Sequence, residues 1–419
     1  MSSTAAPGES LDWTGETLEL ELGAPGHGGF CVARHEGRVV FVRHGLPGER
    51  VRALVTEDRG GSFCRADAVA VLTASPDRVV PRCPVAGPGG CGGCDFQHAA
   101  LPAQRQMKAM VVAEQLRRLG GLDLTAEDVV VEELPGAPDG LGWRSRVRMA
   151  VTADGQPGFH PHRSNDVIPV LGCPQAVPHA LDDVVGQQWT PGADLQVVRD
   201  GAGEQHVVEL TTPQRPQRGR RKPRPVAQLR RGSATATEQA AGRTWAVSAD
   251  GFWQAHVGAA EVYAQVVAEL ADAPTGGTAW DLYSGVGLFS AVLAEQVGAA
   301  GTVVAVESSR QAVADGTAAL ADLPQVRMVA GQVEQQLRTL PVPVDVVVLD
   351  PPRSGAGRSV VEAITAAEPT RIVYVACDPA ALGRDVALLG AQGYRLSVLR
   401  AFDAFPMTHH VECIALFQR

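Results

Sequence analysis

The sequence lacks two features that would place a protein in or beyond a membrane. None of its apolar runs approaches the roughly 18 residues that a transmembrane helix needs, and its first residues show no basic stretch followed by an apolar one. A net positive charge is also missing, because the 419 residues carry a formal charge of −9. We therefore expect a cytoplasmic protein with no membrane partner, and we exclude one that binds nucleic acid through overall basicity.

Basic residues are nevertheless concentrated in one segment. Residues 213–232 contain eight Arg and Lys and no acidic residue, mixed with Pro and Gln in no regular period. This composition predicts a flexible basic loop that can hold phosphate groups but cannot specify bases.

Disulfide bonds are not expected, although the chain has eight cysteines. In the cytoplasm these residues are thiols, metal ligands or nucleophiles. Cys83, Cys91 and Cys94 lie within twelve residues, among glycines that free the chain to turn the sulfurs inward, and Cys173 follows far downstream. We predict that these four cysteines bind metal. With one Cys-x-x-Cys pair and two outlying sulfurs, the spacing does not exclude zinc.

Residues 18–72 alternate apolar and polar residues in short runs separated by glycine. The pattern predicts a small β-barrel of the OB type, which binds nucleic acid in a groove, or an inert β-domain. The runs Gly26-His-Gly-Gly-Phe-Cys-Val-Ala, Gly37-Arg-Val-Val-Phe-Val and Leu46-Pro-Gly-Glu-Arg-Val resemble the TRAM domain of RNA-modifying enzymes. That resemblance implies delivery of RNA.

Basic residues recur at every second position beyond a predicted helix over residues 101–119. They are Arg144, Arg146 and Arg148. A strand would present all three from one face, because side chains on a strand alternate with a period of two. We predict that they contact RNA, and a solvated charged face is the alternative.

From Trp245 onward strand and helix signals alternate, which predicts a doubly wound parallel sheet. The first strand runs into a Gly285-x-Gly287 turn and an apolar helix, and a second strand ends 22 residues after Gly285, at Glu307. A carboxylate at that position can hold a ribose hydroxyl pair. Ser290 stands where a dinucleotide fingerprint has its third glycine, so the loop fits an adenosine ligand such as S-adenosylmethionine better than NAD.

The run Ile372–Asp385 predicts a buried strand followed by a helix that begins at Asp378-Pro379. Cys377 then lies at the carboxyl end of the strand. In open α/β sheets this edge binds ligands, and we expect the dipole of the following helix to favour a thiolate. A small apolar residue that closes a strand is the alternative interpretation.

Several longer motifs carry a specific resemblance. They are Phe252-Trp-Gln-Ala-His, Asp281-Leu-Tyr-Ser-Gly-Val-Gly-Leu-Phe, Asp350-Pro-Pro-Arg, Tyr374-Val-Ala-Cys-Asp-Pro-Ala-Ala-Leu-Gly-Arg-Asp and Phe405-Pro-Met-Thr-His-His-Val-Glu. With these segments the chain resembles the RNA (uracil-5-)-methyltransferase family. The resemblance implies an α/β fold, in which a class I methyltransferase with a doubly wound sheet follows an N-terminal OB-type TRAM barrel and a central α+β domain.

The resemblance also implies where the domains divide. A flexible tail would cover residues 1–12 and the TRAM barrel residues 13–75. A central domain over residues 76–245 would hold the cysteines and the basic loop 213–232. The methyltransferase domain would cover residues 246–419.

Site residues follow from the same resemblance. Cys377 would be the nucleophile and Glu412 the general base. The S-adenosylmethionine site would be lined by Gln254, Asp281, Tyr283, Gly285, Gly287, Glu307, Gln332 and Asp350. The four cysteines would hold the [4Fe-4S] cluster that some members carry.

Four departures from the family pattern stand out. His256 and Asp378 stand where the family usually has asparagine, and Ser284 replaces a common cysteine. The first gap between the cysteines is also longer than usual.

The implied reaction transfers a methyl group from S-adenosylmethionine to carbon 5 of a uridine in RNA, through a covalent cysteine adduct. The combination of cluster and TRAM domain favours large-subunit ribosomal RNA as partner over transfer RNA. We expect a monomer. The alternatives are a transfer RNA enzyme, a cytosine methyltransferase, and a non-catalytic RNA-binding relative if Asp378 silences the neighbouring thiol.

Overall fold

The computed structural model describes residues 12–212 and 225–419. Residues 213–224, which hold most of the predicted basic loop, and residues 1–11 of the predicted tail lie outside this description. The described residues form two six-stranded sheets, a two-stranded hairpin and an eight-stranded sheet. None of their helices combines the length and the apolar character needed to span a bilayer.

The first sheet is the predicted N-terminal barrel. Its strands are β1 (Thr17–Glu21), β2 (Pro25–Gly26), β3 (Phe30–His35), β4 (Arg38–Arg43), β5 (Arg50–Asp58) and β6 (Phe63–Thr73), in the order β1-β5-β6-β4-β3-β2. Gly23 donates a backbone hydrogen bond to the carbonyl of Val32 (2.8 Å), and Val32 donates to the carbonyl of Ala24 (3.0 Å). These two bonds join the chain after β1 to β3 and close the sheet into a barrel.

Helix α1 (Leu101–Gly120) and strand β7 (Val131–Glu133) come next, and a second sheet follows them. Its strands are β8 (Arg146–Val151), β9 (Pro157–Phe159), β10 (Ile168–Pro169), β11 (Asp194–Arg199), β12 (Gln205–Thr211) and β13 (Val226–Arg231). All pairs are antiparallel, in the order β10-β9-β8-β11-β12-β13.

Strand β13 corrects the prediction that the whole basic segment is a loop. Its backbone pairs with β12, with Ala227 opposite Leu210. Every side chain of this edge strand is exposed. Because β13 has no buried face, its sequence shows no alternation of apolar and polar residues that would predict a strand.

The C-terminal part begins with the hairpin of β14 (Thr235–Ala240) and β15 (Arg243–Ser248). Its helices are α2 (Ala259–Ala271), α3 (Leu288–Val297), α4 (Arg310–Ala319), α5 (Val333–Gln336), α6 (Gly357–Ala366) and α7 (Pro379–Ala391). Its strands are β16 (Thr278–Leu282), β17 (Thr302–Glu307), β18 (Val326–Ala330), β19 (Val346–Leu349), β20 (Arg371–Ala376), β21 (Arg395–Asp403) and β22 (Glu412–Gln418).

The eight-stranded sheet has the order β18-β17-β16-β19-β20-β22-β21-β7. Strands β16 to β20 are parallel, and β22 runs antiparallel to both of its neighbours. Helices cover both faces, so alternate residues of one strand enter different cores: Val303 packs on one face and Val304 on the other. The prediction of a doubly wound sheet is confirmed.

The predicted central domain does not follow the sheets. Strand β7 pairs in parallel with β21, with Val131 opposite Ala401, and so forms the far edge of the C-terminal sheet. Helix α1 buries Val112 and Leu116 in the core on one face of that sheet. Residues 101–133 therefore pack with the C-terminal part, and a strand of three residues gives no local signal of its partner.

A buried ion pair fixes this arrangement. Lys108 of α1 is fully buried and its Nζ donates to Asp403 Oδ1 (2.5 Å) and to the carbonyl of Phe405 (3.0 Å). We expect Lys108→Ala to cost about 3–5 kcal/mol, because it leaves the Asp403 carboxylate buried and unpaired. Thermal melting followed by circular dichroism should show a clearly lower midpoint.

The matched control is Arg148→Ala, which breaks an exposed pair with Asp194 (2.8 Å). We expect it to change stability by less than about 1 kcal/mol. Equal melting midpoints for the two variants would contradict a stabilising role for the Lys108 pair.

Candidate active site and cysteine site

The candidate active site lies where the parallel strands of the C-terminal sheet end. Leu282 of β16 is opposite Val306 of β17 and Leu349 of β19, so the residues that follow these strands meet at one edge. The structure brings together five of the predicted site residues as electrostatic neighbours, and they are Asp281, Glu307, Asp350, Cys377 and Glu412.

The glycine turn after β16 has the backbone that its sequence demands. Tyr283, Gly285 and Gly287 have φ angles of 63°, 56° and 89°, a region that favours glycine. A Cβ on Gly287 would stand 2.7 Å from the Cδ1 atom of Leu320, so a larger residue would require this buried side chain to move. The Gly285 N–H donates to Glu307 Oε2 (3.2 Å), which ties the turn to the end of β17.

Two carboxyl groups, those of Asp281 and Asp350, lie at this edge of the sheet. Ser290 Oγ donates to Asp281 Oδ2 (2.5 Å), whereas the buried Oδ1 atom of Asp281 has no hydrogen-bond partner among the described residues. Burial raises the pKa of Asp281 to about 7. Burial, with the charges of Asp281 and Glu307, also raises the pKa of Asp350 to about 7. A cation bound here would favour the ionised form of both groups.

Cys377, which directly follows β20, lies beside Glu412, the first residue of β22. Ala376, the last residue of β20, is opposite Cys413 of β22, so Cys377 follows next to Glu412. As predicted, Asp378 caps α7 by accepting the Ala381 N–H (2.7 Å), and Pro379 is the first helical residue.

The expectation that the helix dipole favours a Cys377 thiolate is wrong for this structure. Burial, followed by the charges of Glu412 and Asp350, raises the pKa of Cys377 to about 12, while Arg353 acts in the opposite direction. Burial and Asp350 likewise raise the pKa of Glu412 well above its ordinary value. Burial, and after it the nearby carboxyl groups, outweighs a single helix end, which stabilises an anion only modestly.

Two further predicted cofactor residues, Gln254 and Gln332, precede helices α2 and α5. Gln254 is half-buried ahead of α2, and Gln332 is exposed at the start of α5. The sequence analysis did not identify Tyr263 of α2, whose buried hydroxyl interacts with Glu412 and Asp350 and lacks a hydrogen-bond partner in the part of the chain that the structure describes. Its position on an apolar helix face gave no signal.

The four predicted metal ligands line one cavity formed by the segments 83–97 and 144–175, and they are Cys83, Cys91, Cys94 and Cys173. The sulfurs of Cys91 and Cys94 accept hydrogen bonds from the protein. The Gly93 N–H donates to Cys91 Sγ (3.4 Å), and the side-chain amides of Gln97 and Gln175 both donate to Cys94 Sγ (3.1 Å each). Burial raises the pKa of the Cys94 thiol to about 12, so a bound cation must compete with its proton.

The spacing of these sulfurs separates two kinds of metal site. In the described part of the chain, three potential metal-ligand atoms lie within 4.8 Å of one another only in a different group, which consists of Asp200, Glu204 and His206. No three of the four cysteine sulfurs lie that close together. A tetrahedral zinc ion would need thiolates about 3.8 Å apart, given Zn–S bonds of about 2.3 Å. An iron–sulfur cluster distributes its ligands over several irons, so the wider cysteine arrangement suits a cluster better than one ion.

The acidic group itself is explained by structure alone. Asp200 accepts backbone N–H groups from Ala202 (3.1 Å), Glu204 (2.7 Å) and Thr237 (2.8 Å), and His206 Nε2 lies 3.2 Å from it. These bonds hold a turn between β11 and β12 together.

The prediction that three arginines share one RNA-facing side is wrong. Arg146 is buried and its guanidinium pairs with Glu238 (2.8 Å), while half-buried Arg144 lines the cysteine cavity. Arg148 alone of the three is exposed, and it pairs with Asp194. Strand β8 lies between β9 and β11 in its sheet. Its alternating sequence does not show which of its two faces other parts of the chain cover.

Comparisons with known proteins agree with this geometry. The family model for tRNA (Uracil-5-)-methyltransferase matches residues 245–419, and the TRAM domain model matches residues 13–69. An uncharacterized RNA methyltransferase of Streptomyces avermitilis is 44% identical over 96% of this chain and 98% of its own. One from Streptomyces coelicolor is 43% identical over 98% of this chain and 94% of its own.

A solved structure shows the same fold over nearly the whole length. The Pyrococcus abyssi tRNA (uracil-54, C5)-methyltransferase in complex with S-adenosyl-L-homocysteine has a TM-score of 0.68 and 21% identity, covering 95% of this chain and 100% of that one. Fold and site thus define a class I, S-adenosylmethionine-dependent methyltransferase with an N-terminal TRAM domain. Within that class, the chain belongs to the RNA (uracil-5-)-methyltransferase family.

The raised pKa values of Asp281 and Asp350 predict how cofactor binding depends on pH. If Asp350 must be ionised to hold cationic S-adenosylmethionine, a pKa of about 7 should weaken binding about tenfold from pH 8 to pH 6. Conversely, the cofactor-free protein should lose stability as the pH rises toward 7, because a raised carboxyl pKa favours folding only while the group is protonated. Isothermal titration calorimetry at both pH values measures the first effect.

Asp350→Asn should bind more weakly and flatten this dependence. The matched control is Glu295→Gln on the exposed side of α3, which should retain it. A wild-type affinity that is equal at pH 6 and pH 8 would show that Asp350 does not bind the cofactor as a carboxylate.

Proposed function

We propose that this protein methylates carbon 5 of a uridine in large-subunit ribosomal RNA through a covalent adduct on Cys377. The observation that carries the proposal is the juxtaposition of Cys377 and Glu412 at the ends of neighbouring strands, beside the carboxyl groups that follow the parallel strands. A nucleophile next to an acid–base group at the ligand-binding edge is what this chemistry requires.

Carbon 5 of uracil is a poor nucleophile until electrons are pushed into the ring. The Cys377 thiolate adds to carbon 6, which forms a carbon–sulfur bond and leaves an enolate that is nucleophilic at carbon 5. S-adenosylmethionine, when bound, would supply the methyl group as a sulfonium electrophile, with the electrons of the broken sulfur–methyl bond staying on sulfur as a neutral thioether. Carbon 5 then carries both the methyl group and its original proton.

Glu412 completes the reaction by removing that proton. Its carboxylate takes the proton from carbon 5, the ring double bond forms again, and the carbon–sulfur bond to Cys377 breaks. The pKa of Glu412, which burial and Asp350 raise, makes it a stronger base than an exposed carboxylate. The uridine must be unstacked to expose both faces of its ring to these groups.

The cofactor would be held by the residues that follow β16, β17 and β19. Glu307 is fixed by N–H bonds from Gly285 (3.2 Å) and Ser309 (2.6 Å), an arrangement suited to a ribose hydroxyl pair. Asp281 and Asp350 offer negative charge to the cationic parts of the molecule. Tyr283, Gln254 and Gln332 complete the proposed binding set.

The choice of RNA rests on the cysteine site and the barrel. The resemblance that relates clusters and TRAM domains to ribosomal RNA favours that substrate. The Pyrococcus abyssi protein with the same fold is named for a transfer RNA uridine, which makes transfer RNA the second candidate. Mapping 5-methyluridine in total RNA from a strain that lacks the gene distinguishes the two, and nucleoside analysis would also reveal a cytosine product.

Replacing the base and the nucleophile should stop the reaction at different steps. Glu412→Gln keeps the volume but removes the basicity, so addition and methyl transfer proceed while elimination stalls. A methylated covalent protein–RNA complex should accumulate and survive denaturing electrophoresis.

Cys377→Ala is the matched control, because it cannot form the bond and should accumulate no complex while still binding the cofactor. Turnover of Glu412→Gln at nearly the wild-type rate would place the base elsewhere. Arrest before any methyl group reaches the RNA would make Glu412 a binding residue.

The four cysteines should hold a [4Fe-4S] cluster in protein purified without oxygen. Thiolate-to-iron charge transfer should colour the protein brown, and Cys91→Ala should bleach it. Iron and sulfide assays measure the content, with Cys64→Ala in the barrel core as a control that keeps the colour. Stoichiometric zinc without sulfide would overturn the assignment.

A further inference from the structure

Three phenylalanine rings lie in a row on the outer face of the barrel. They belong to neighbouring strands, with Phe30 on β3, Phe41 on β4 and Phe63 on β6. The ring centroids of Phe30 and Phe41 are 4.5 Å apart, and those of Phe41 and Phe63 are 5.5 Å apart. The next residues along the outer two strands, Cys31 and Cys64, fill the barrel core, so the rings point away from it. We call this row the phenylalanine stripe.

The stripe is not needed to complete the barrel core. Phe63 is 43% exposed, and Phe30 and Phe41 are partly exposed. Single apolar side chains on a surface are ordinary, but three rings in contact form a continuous apolar patch. Such patches mark surfaces that bind a partner.

One end of the stripe reaches the candidate active site. A Cβ on Gly26 or Gly28 would lie 2.6 or 2.9 Å from the Phe30 ring, so this ring packs against the hairpin that joins β2 and β3. His27, between these glycines, places its Nε2 atom 3.1 Å from Asp378 Oδ2. Asp378 directly follows the proposed nucleophile. The stripe therefore continues the rim of the active site along the barrel.

Arginines surround the other end of the stripe. The Arg65 guanidinium lies 5.1 Å from the centroid of the Phe63 ring. Glu57 is the shared partner of three arginines, which are Arg59 (3.2 Å), Arg65 (3.5 Å) and Arg163 (3.1 Å). One carboxylate balances only one of three positive charges, so this cluster attracts a further anion although the whole chain is acidic.

Aromatic rings beside guanidinium groups match the chemistry of single-stranded RNA. Every base has a face that stacks on an aromatic ring or a guanidinium plane, and the phosphates pair with arginine. An apolar protein segment would cover the rings but would leave the excess positive charge around Glu57 without a partner.

We propose that the phenylalanine stripe and the arginines around Glu57 bind the single-stranded RNA that flanks the target uridine. The inference rests on the proposed function for the position of that uridine beside Cys377. The resemblance of the barrel implies delivery of RNA in general, whereas the stripe assigns the surface and the kind of contact. Because stacking accepts every base, this surface holds the flanking RNA without specifying its sequence.

The test measures binding of full-length protein, without cofactor, to fluorescein-labelled oligocytidine of about 15 nucleotides, a length that covers one OB-type site. The probe contains no uridine, so its binding does not depend on the proposed reaction. Fluorescence anisotropy should show that Phe63→Leu binds at least about fivefold more weakly, because it removes a stacking surface. Phe63→Tyr keeps the ring and should bind as the wild type does.

The matched control is Leu72→Ala. Leu72 is on the same strand and is 40% exposed, but it lies nine residues from Phe63, which is about 30 Å along a strand. This variant should retain the wild-type affinity. Melting midpoints confirm that each variant is folded.

Salt dependence tests the arginines separately. Arg163→Gln should lower the slope of log affinity against log salt concentration by about 0.7, as expected for the loss of one phosphate contact to a single strand. Arg371→Gln is the control, because Arg371 is at the amino end of β20, opposite the end that leads to Cys377. It should leave the slope unchanged.

Equal affinities of the wild type and Phe63→Leu for the probe would overturn the inference. Self-association of the wild type that Phe63→Leu abolishes, seen by sedimentation together with unchanged RNA affinity, would also overturn it, because the stripe would then be a protein interface. Failure of the proposed function would appear differently, as stripe-dependent RNA binding in a protein that methylates no uridine.

Discussion

The structure around the active site depends on a concentration of like charges at one edge of a sheet. Parallel pairing makes β16, β17 and β19 end together, which brings Asp281, Glu307 and Asp350 close to one another and to Glu412. Burial, followed by the neighbouring charges, raises the pKa of Asp281, Asp350 and Glu412, so these groups hold their protons more firmly until a cation compensates the charge. A sulfonium cofactor provides that compensation, so cofactor binding and formation of the Cys377 thiolate should favour each other.

Much of this edge could be predicted from the sequence because its signals are local. Buried valine-rich runs such as Val303–Val306 define parallel strands, and Gly285 and Gly287 occupy positive-φ positions of the turn that follows β16. The cap at Asp378 is equally local, since it depends on a residue three positions away. Such features are determined by neighbouring residues, whatever the rest of the chain does.

The features that sequence reasoning missed depend on distant partners. Strand β7 is assigned to its sheet by pairing with β21, and β13 is an edge strand because β12 supplies its hydrogen bonds. Arg146 belongs to an alternating pattern of basic residues, which predicted an exposed side chain. In the structure it is buried and paired with Glu238, which is distant in sequence. The same limit explains the pKa of Cys377, since the helix end is visible in the sequence but the burial of the thiol and the carboxyl groups around it are not.

The segment before Glu412 connects the cysteine site with the candidate active site. The backbone N–H groups of Asp95 and Phe96 both donate to the Met407 carbonyl (2.9 Å each), directly after the proposed ligand Cys94. Arg43 of the barrel pairs with Asp95 (2.9 Å). The loop after Cys94 therefore contacts both the barrel and the segment before Glu412. A change in the cysteine loop thus has a direct hydrogen-bonded route to the residues before Glu412. The cysteine loop therefore supports the backbone at Met407, five residues before Glu412.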